Sequence, residues 1–324
     1  MLFEDKFSVA PMMDWTDRHC RYFHRLISSH AVLYTEMISA DALIYGPRDK
    51  LLNFNEEELP CVLQLGGNNP DKLSIAAKYG QDSGYSEINL NIGCPSNRVQ
   101  NGSFGACLME SPKLVSECVK VIQDNCQIPV TIKCRIGVDD MDEIEGLDDF
   151  VDEVSESGTK LFIIHARKAW LNGLSPKQNR EIPPLNYLRV ASLKKRRPDL
   201  KIIINGGIQS IKQGNELIFN HNLDGFMIGR EAYKKPYMLS TVDRDVFSKS
   251  IKQRTRYEIA MEMADYIDNY MKEEGSHVHA VTRHMLGLYN SLPGAKEWRR
   301  VLSENIRFSK NGDILRLATD NIED

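Results

Sequence analysis

The stretch Glu87-Ile88-Asn89-Leu90-Asn91-Ile92-Gly93-Cys94-Pro95-Ser96 decides how the chain is read. A short apolar run carries two asparagines, then stops at glycine, cysteine and proline. With a strand's period of two, Asn89 and Asn91 share one face while Ile88, Leu90 and Ile92 share the other. Cys94 falls just past the strand, on a loop. Polar groups and a thiol at the C-terminal tip of a buried parallel strand point to an α/β active site, where rigid strands hold chemistry and loops vary. A lone cysteine on a core loop, inert and buried, is the plainer alternative. The remaining strand ends argue against it.

Working outward, apolar runs recur at helix-sized intervals, predicting strands at 7–10, 32–37, 61–65, 87–91, 130–135, 161–165, 201–205 and 225–228. Helical patterns at 17–28, 70–83, 112–125, 147–157, 186–197 and 211–220 fill the intervals. Pro70 and Pro112 suit first helical turns, with Asn69 and Ser111 as caps. Eight strand–helix units in a row predict a closed (β/α)8 TIM barrel. An open doubly wound sheet lacks its best sign, because no Gly-x-Gly-x-x-Gly follows the first strand. Beyond about residue 245 the strands cease. Helices are predicted at 251–274, 281–292 and 295–306, so residues 1–245 form a barrel and 246–324 a small all-helical domain.

The predicted strand tips form one set. They read Pro11-Met12-Met13, Glu36, Gln64-Leu65-Gly66-Gly67, Asn89-Leu90-Asn91, Lys133-Cys134-Arg135, His165-Ala166-Arg167, Asn205-Gly206-Gly207 and Gly229-Arg230. The seventh and eighth tips are where such barrels often bind phosphate. There Gly206, Gly207 and Gly229, next to Asn205, offer glycine N–H groups that admit close approach, and Arg230 offers a planar fork. Lys133, inside the mouth, suits an electron-rich ring such as a reduced isoalloxazine. Gln64 offers a donor and an acceptor on one amide, and His165 is a further hydrogen-bonding group. No His, Asp and Glu set has metal-ligand spacing, so no metal is expected.

Composition narrows the classes. No apolar run approaches the roughly 20 residues of a membrane span, and the first residues lack a signal-peptide layout. The seven cysteines include no Cys-x-x-Cys pair, which favours a reducing, cytoplasmic setting over disulfides or structural zinc. The net charge of −4 announces no polyanion partner, yet charge is uneven. Residues 167–201 hold ten Lys/Arg against two acids, and 281–316 hold seven against three. Either a nucleic-acid footprint or solvated helix faces would account for this.

Together the motifs resemble the flavin-dependent tRNA-dihydrouridine synthases. The resemblance is carried by Ala10-Pro11-Met12-Met13-Asp14-Trp15-Thr16-Asp17, Leu63-Gln64-Leu65-Gly66-Gly67, Ile88-Asn89-Leu90-Asn91-Ile92-Gly93-Cys94-Pro95, Val130-Thr131-Ile132-Lys133-Cys134-Arg135 and Ile164-His165-Ala166-Arg167, with the later Asn-Gly-Gly and Gly-Arg tips. The run from His165 to Lys177 resembles the A subfamily, which acts at D-loop positions 20 and 20a. Cys134 stands where the family more often has threonine.

The resemblance implies an oxidoreductase with bound FMN, held by Pro11, Met12, Met13, Gln64, Lys133, His165, Asn205, Gly206, Gly207, Gly229 and Arg230, and reduced by NADPH. It implies hydride transfer to C6 of uracil and a proton to C5 from Cys94, with Asn91 beside the base or its ribose. An ordinary thiol, with a pKa near 8.5, is protonated at neutral pH and can serve. The tRNA substrate must turn out its stacked uridine. Lys177 and Arg180 on the long loop after His165, and Arg299 and Arg300 on the tail, are the expected phosphate contacts. No membrane and no obligate protein partner is implied. One rival is another FMN barrel reductase acting on a small conjugated molecule, which would leave the basic tail idle. Another is an RNA-binding barrel without catalysis, which would leave Cys94, Lys133 and His165 idle.

Overall fold

A computed structural model describes residues 4–96, 99–100, 102–273, 276–304, 309–320 and 322. Nine strands form one sheet with every pairing parallel: β1 (Phe7–Val9), β2 (Leu33–Tyr34), β3 (Ile38–Ser39), β4 (Cys61–Gly66), β5 (Glu87–Ile92), β6 (Val130–Arg135), β7 (Leu161–His165), β8 (Lys201–Asn205) and β9 (Gly225–Ile228). The order is β1-β9-β8-β7-β6-β5-β4-β2. A parallel bridge from Ser8 to Val32 then returns the sheet to its start, with Val9 N–H donating to Val32 O at 3.0 Å. The TIM barrel expected from the sequence is present.

The strand predicted at 32–37 is two pieces. β2 and β3 both pair with β4 and together fill one barrel position. Between them Thr35 turns its hydroxyl to Glu36 O at 2.7 Å and accepts from Gln64 N–H at 3.0 Å, so a side chain stands in for the ladder.

Outside the sheet lie α1 (Arg18–Ile27), α2 (Pro70–Asp82), α3 (Pro112–Asn125), α4 (Glu145–Glu156), α5 (Tyr187–Arg196), α6 (Ile211–His221) and α7 (Arg230–Lys234). Asn69 caps α2 through Lys72 N–H at 2.9 Å. Ser111 sits at the start of α3 but its hydroxyl makes no capping bond, because a 3-10 turn, Gly105–Glu110, leads straight into the helix. The tail adds α8 (Arg256–Tyr270), α9 (Val278–Thr282), α10 (Ala295–Glu304) and α11 (Asp313–Thr319). The helix predicted at 251–274 is shorter, running Arg256–Tyr270 with Thr255 as its cap. Residues 274, 305 and 306 of the helices predicted at 251–274 and 295–306 lie outside those described. The one predicted at 281–292 is only partly helical. Arg283 and His284 turn toward Asp17, and Gly287 packs so close to Lys234 that a Cβ would lie 2.3 Å from its carbonyl oxygen. A run of turns closed by bonds between residues three apart replaces the helix there.

Period-two patterning divides the core. Leu63, Leu65, Ile88, Leu90, Ile132 and Cys134 face the helices, in a cluster that continues into Ile259, Met263 and Trp298 of the tail. The barrel lumen holds Ala10, Val32, Tyr34, Val62, Leu161, Ile163, Ile203 and Met227. On the β4–β6 side the lumen is polar instead. Thr131 Oγ1 donates to Glu87 at 2.5 Å and accepts from Asn89 Nδ2 at 2.9 Å. Asn89 Oδ1 accepts from Gln64 Nε2 at 2.8 Å, and Gln64 Oε1 accepts from Asn91 Nδ2 at 2.8 Å.

Glu87 begins this column. Burial pushes its pKa up from 4.5 to about 8, against the lowering effect of its bond from Thr131. The folded protein therefore keeps a proton that the unfolded chain releases above its ordinary value. Stability contributed by this group falls as pH rises from 4.5 toward 8. Glu87→Gln is neutral throughout, so its Tm is expected to match wild type near pH 4.5 and to rise above it as the pH approaches 8. Parallel Tm-versus-pH curves for the two proteins would show that the buried carboxyl is already ionised.

Candidate active site

The column of amides ends at Cys94. Asn91 Oδ1 accepts from the N–H groups of Gly93, at 3.1 Å, and Cys94, at 2.9 Å. The same loop is gripped from the other side. Arg135 Nε donates to Gly93 O at 2.9 Å, Ala106 N–H to Cys94 O at 3.0 Å, and Gln100 Nε2 to Pro95 O at 2.9 Å. Cys94 itself is half-buried, with its thiol 3.5 Å from Ser96 Oγ. A cysteine whose backbone is fixed at so many points is presented by the fold.

Around it the strand tips converge. Arg135, His165 and Asn205 are register partners on successive strands, and Asn91 pairs with Lys133 one layer below. Lys133 Nζ donates to Asn205 Oδ1 at 3.1 Å, and Asn205 Nδ2 to Met227 O at 2.8 Å. Gly206 and Gly207 both have positive φ, 111° and 67°, a backbone that suits glycine. A Cβ on Gly206 would lie 3.2 Å from His165 Cε1, and one on Gly207 would strike Leu185 at 2.5 Å. A Cβ on Gly229 would touch Ala10 and Met12, so the β1 and β9 tips abut, with Pro11 half-buried and Met13 exposed beside them. Arg230 reaches Glu181 at 2.5 Å on the long loop.

The mouth is electropositive. Burial first, then the neighbouring Arg135, hold Lys133 down to about 8. Burial and the charges of Arg180 and Arg167 bring Arg135 to about 10. His165 lies well below its ordinary value through burial, reinforced by Arg135 and Lys133, so it is a neutral imidazole. Buried and unpaired at the same place are His165 Nδ1 and Arg167 Nε. Orphaned polar atoms in a cationic, glycine-lined mouth fit a ligand with hydrogen-bonding ring edges and a phosphate, and a flavin has both.

Several residues that sequence reasoning passed over complete the frame. Asn179, fully buried, accepts from Trp170 N–H at 2.8 Å and donates to Trp170 O at 2.8 Å. Arg135 also donates to Asn179 O at 3.0 Å, and Gln100 to Leu171 O at 3.0 Å. Arg167 donates to Pro183 O. Arg135 and Arg167 were visible as strand tips. Asn179, in a 3-10 turn at Gln178–Arg180, and Gln100, in a short helical segment, carry no local signal. Of the expected RNA contacts, Lys177 and Arg180 are exposed on this loop. Arg299 is exposed and makes no ion pair among the described residues, whereas Arg300 is paired with Glu297 at 2.5 Å and Glu304 at 3.5 Å. Trp298 is core, its indole N–H bonded to Met285 O at 2.8 Å.

A parallel barrel with polar strand tips, a thiol loop and a cationic mouth defines a class of cofactor-binding enzyme. Residues 8–323 match the family Dihydrouridine synthase (Dus), and the chain belongs to that family of flavin-dependent oxidoreductases. It is 54% identical over 316 residues to the tRNA-dihydrouridine(20/20a) synthase of Vibrio parahaemolyticus, covering 97% of this chain and 95% of that one. To the protein of the same description in Escherichia coli (strain K12) it is 53% identical over 301 residues, 93% and 86% of the two chains. For Shewanella oneidensis the figures are 51% over 320 residues, 98% and 94%. No helix among the described residues is long and apolar enough to cross a membrane.

Asn91 holds the Cys94 loop from inside the barrel, so Asn91→Ala is expected to leave two backbone N–H groups without their acceptor. A loss of about 1–3 kcal/mol in denaturant stability follows. Alkylation of Cys94 by iodoacetamide, followed by peptide mapping, should accelerate several-fold. An unchanged alkylation rate would mean that Arg135 and Gln100 suffice to hold the loop.

Proposed function

We propose that this protein reduces the C5–C6 double bond of uridine at D-loop positions 20 and 20a of tRNA, using bound FMN and NADPH in the cytoplasm. The observation that carries the reading is the thiol of Cys94, clamped by Asn91, Arg135 and Gln100 over a mouth with unpaired buried polar atoms. The printed descriptions of the relatives supply the substrate.

The residues that would hold FMN are those of the converging tips. Lys133 and His165 would hydrogen-bond the ring, together with Gln64 and the Pro11-Met12-Met13 turn. Asn205, Gly206, Gly207, Gly229 and Arg230 form a cup for a single phosphate, which favours FMN over FAD. Gln64 already spends one donor and one acceptor on Asn89 and Asn91, so it offers the ring its remaining N–H and lone pair. Glu181 must release or share Arg230 when a phosphate arrives. The flavin's contribution is a hydride delivered to C6, and NADPH restores it.

The chain supplies the rest. Cys94 gives its proton to C5 as charge develops there and is reprotonated from solvent. Asn91 keeps that thiol in place and retains one N–H for the base or ribose. Lys133, a cation beside an electron-rich ring, stabilises negative charge in a site where water is scarce. Residues 246–324 act as the tRNA-binding domain, with Arg299 on a phosphate, and Lys177 and Arg180 add phosphate contacts from the barrel loop after β7. Their contacts offset the few kcal/mol needed to unstack the uridine.

Cys94→Ala is expected to keep FMN and tRNA affinity and to be reduced by NADPH at a near-normal rate. Oxidation of the reduced enzyme by unmodified tRNA should slow by roughly 10²–10⁴-fold. Rapid mixing of each half-reaction separates the two, and a variant reoxidised by tRNA at the wild-type rate removes Cys94 from the mechanism.

The ion pairs around Arg300 make a second expectation. Arg299→Gln should weaken tRNA binding and lower the slope of log Kd against log salt by about one. Arg300→Gln, already neutralised in place, should change the slope much less. Equal effects of the two substitutions would mean that Glu297 and Glu304 do not compete with RNA.

A further inference from the structure

The loop after β7 carries an aromatic side chain with no place in the chemistry above. Among the three tryptophans, Trp15 stacks on Tyr233 at 4.4 Å and Trp298 is fully buried. Trp170 alone is exposed, at 38%. An exposed indole normally sits on mobile backbone or against a chance neighbour. This one does neither. The backbone N–H of Trp170 donates to the buried carboxamide of Asn179 and its backbone carbonyl accepts from it, at 2.8 Å each. The next residue, Leu171, donates to Asp139 Oδ1 at 2.8 Å and accepts from Gln100 Nε2 at 3.0 Å.

Gln100 is the decisive contact. One nitrogen bonds both Leu171 O and Pro95 O, so the backbone that presents Trp170 and the backbone that presents Cys94 are joined through a single amide. Arg135 repeats the link, bonding Gly93 O on one side and Lys168 O and Asn179 O on the other. Lys168 Nζ lies 5.7 Å from the Trp170 ring centroid, and Arg180 and Lys177 flank the same loop. An exposed aromatic face on hydrogen-bonded backbone, with one cation beside the ring and two more on its loop, is the arrangement that single-stranded nucleic acid uses: bases stack on the ring and phosphates meet the charges.

We infer that Trp170 is a stacking platform for a nucleobase flanking the uridine that Cys94 protonates. The inference rests on the tRNA reading given above. A flipped uridine leaves neighbours with an exposed face, and a ring at the rim, in fixed register with the thiol, covers one of them. Trp170 is thus a binding residue that sets where along the RNA the thiol acts. The other flat partner with phosphates, the dinucleotide reductant, is separated by the test.

The experiment uses the flavin-loaded protein, unmodified tRNA and three variants of one position: wild type, Trp170→Phe and Trp170→Ala. Trp170→Ala should weaken tRNA binding roughly tenfold or more, as loss of a base-stacking ring does. Trp170→Phe should recover most of that affinity, and NADPH should reduce the flavin in all three at one rate. Tryptophan emission gives a readout that general destabilisation would not imitate. Quenching by tRNA should be present in wild type and largely absent in Trp170→Phe, although that variant still binds. Wild-type affinity in Trp170→Ala, or quenching that persists in Trp170→Phe, overturns the inference while leaving the function intact. Slowed reduction by NADPH in Trp170→Ala would assign the ring to the reductant and overturn it equally. A wild-type enzyme inert on tRNA would remove the function and this inference together.

Discussion

The bond from Asn91 Oδ1 to the N–H of Cys94 is the constraint on which the site depends, because it ties a loop to the inside of a barrel. Behind it stands a chain of side chains, Asn91 to Gln64 to Asn89 to Thr131 to Glu87, in which each amide uses an oxygen and a nitrogen. In a lumen otherwise lined by Ile163, Ile203 and Met227, an unpaired amide would cost about 1–3 kcal/mol. Each member therefore enforces its neighbour's rotamer. A slip of β5 by one residue would turn all its amides onto the helices and its leucine and isoleucines into the column. Register, lumen and thiol are fixed together.

Charge imposes the second constraint. Lys133, Arg135, Arg167, Arg180 and Arg230 crowd one mouth, and His165 stays neutral among them. Much of this charge is held by carbonyls: Arg135 by Gly93, Lys168 and Asn179, and Arg167 by Pro183. Carbonyl oxygens orient a guanidinium without neutralising it. Among the described residues, only Arg230 of these five has a carboxylate partner, Glu181. The mouth is thus oriented, desolvated and still positive, a state that favours anionic ligands.

The strand tips were legible because a period of two, broken by Asn, Lys, His or Gly-Gly, is a local property. The split at β2 and β3 was not, since it depends on Thr35 meeting Gln64 across the sheet. The basic run after Tyr187 gave a correct count and an ambiguous meaning. Arg189 and Arg196 pair with Asp148 and Arg197 with Asp152 of the neighbouring acidic helix, and Lys194 pairs with Asp224 just before β9, so most of the charge is taken up locally. Part of the tail charge is likewise spent, with Arg316 on Asp265, Asp268 and Asp313, while Arg299 stays unpaired among the described residues. Net charge along a chain says nothing about which cations have carboxylates across a helix interface. Asn179 and Gln100 were invisible for a related reason: a polar residue in a short connecting segment reads as solvated until its partners are known.

The tail does not hang free of this frame. Asp17, which caps α1 through His19 and Cys20, also accepts from Arg283 and lies 3.0 Å from His284 Nε2. His284 Nδ1 in turn meets Tyr233 OH at 3.1 Å, and Tyr233 stacks on Trp15 in the turn that follows Met12. Burial keeps His284 low even beside Asp17, so Nε2–H donates to the carboxylate and Nδ1 accepts from the tyrosine. On the far side of α1, Tyr22 stacks on Tyr266 of α8 at 4.3 Å. One barrel helix therefore carries the tail on one side and the β1 tip at its start. A substrate whose base must leave its stack to reach Cys94 needs its backbone held at a fixed distance from the thiol. Contacts on a flexibly tethered domain would lose that advantage to the entropy of the tether, whereas contacts on a domain keyed into α1 keep it.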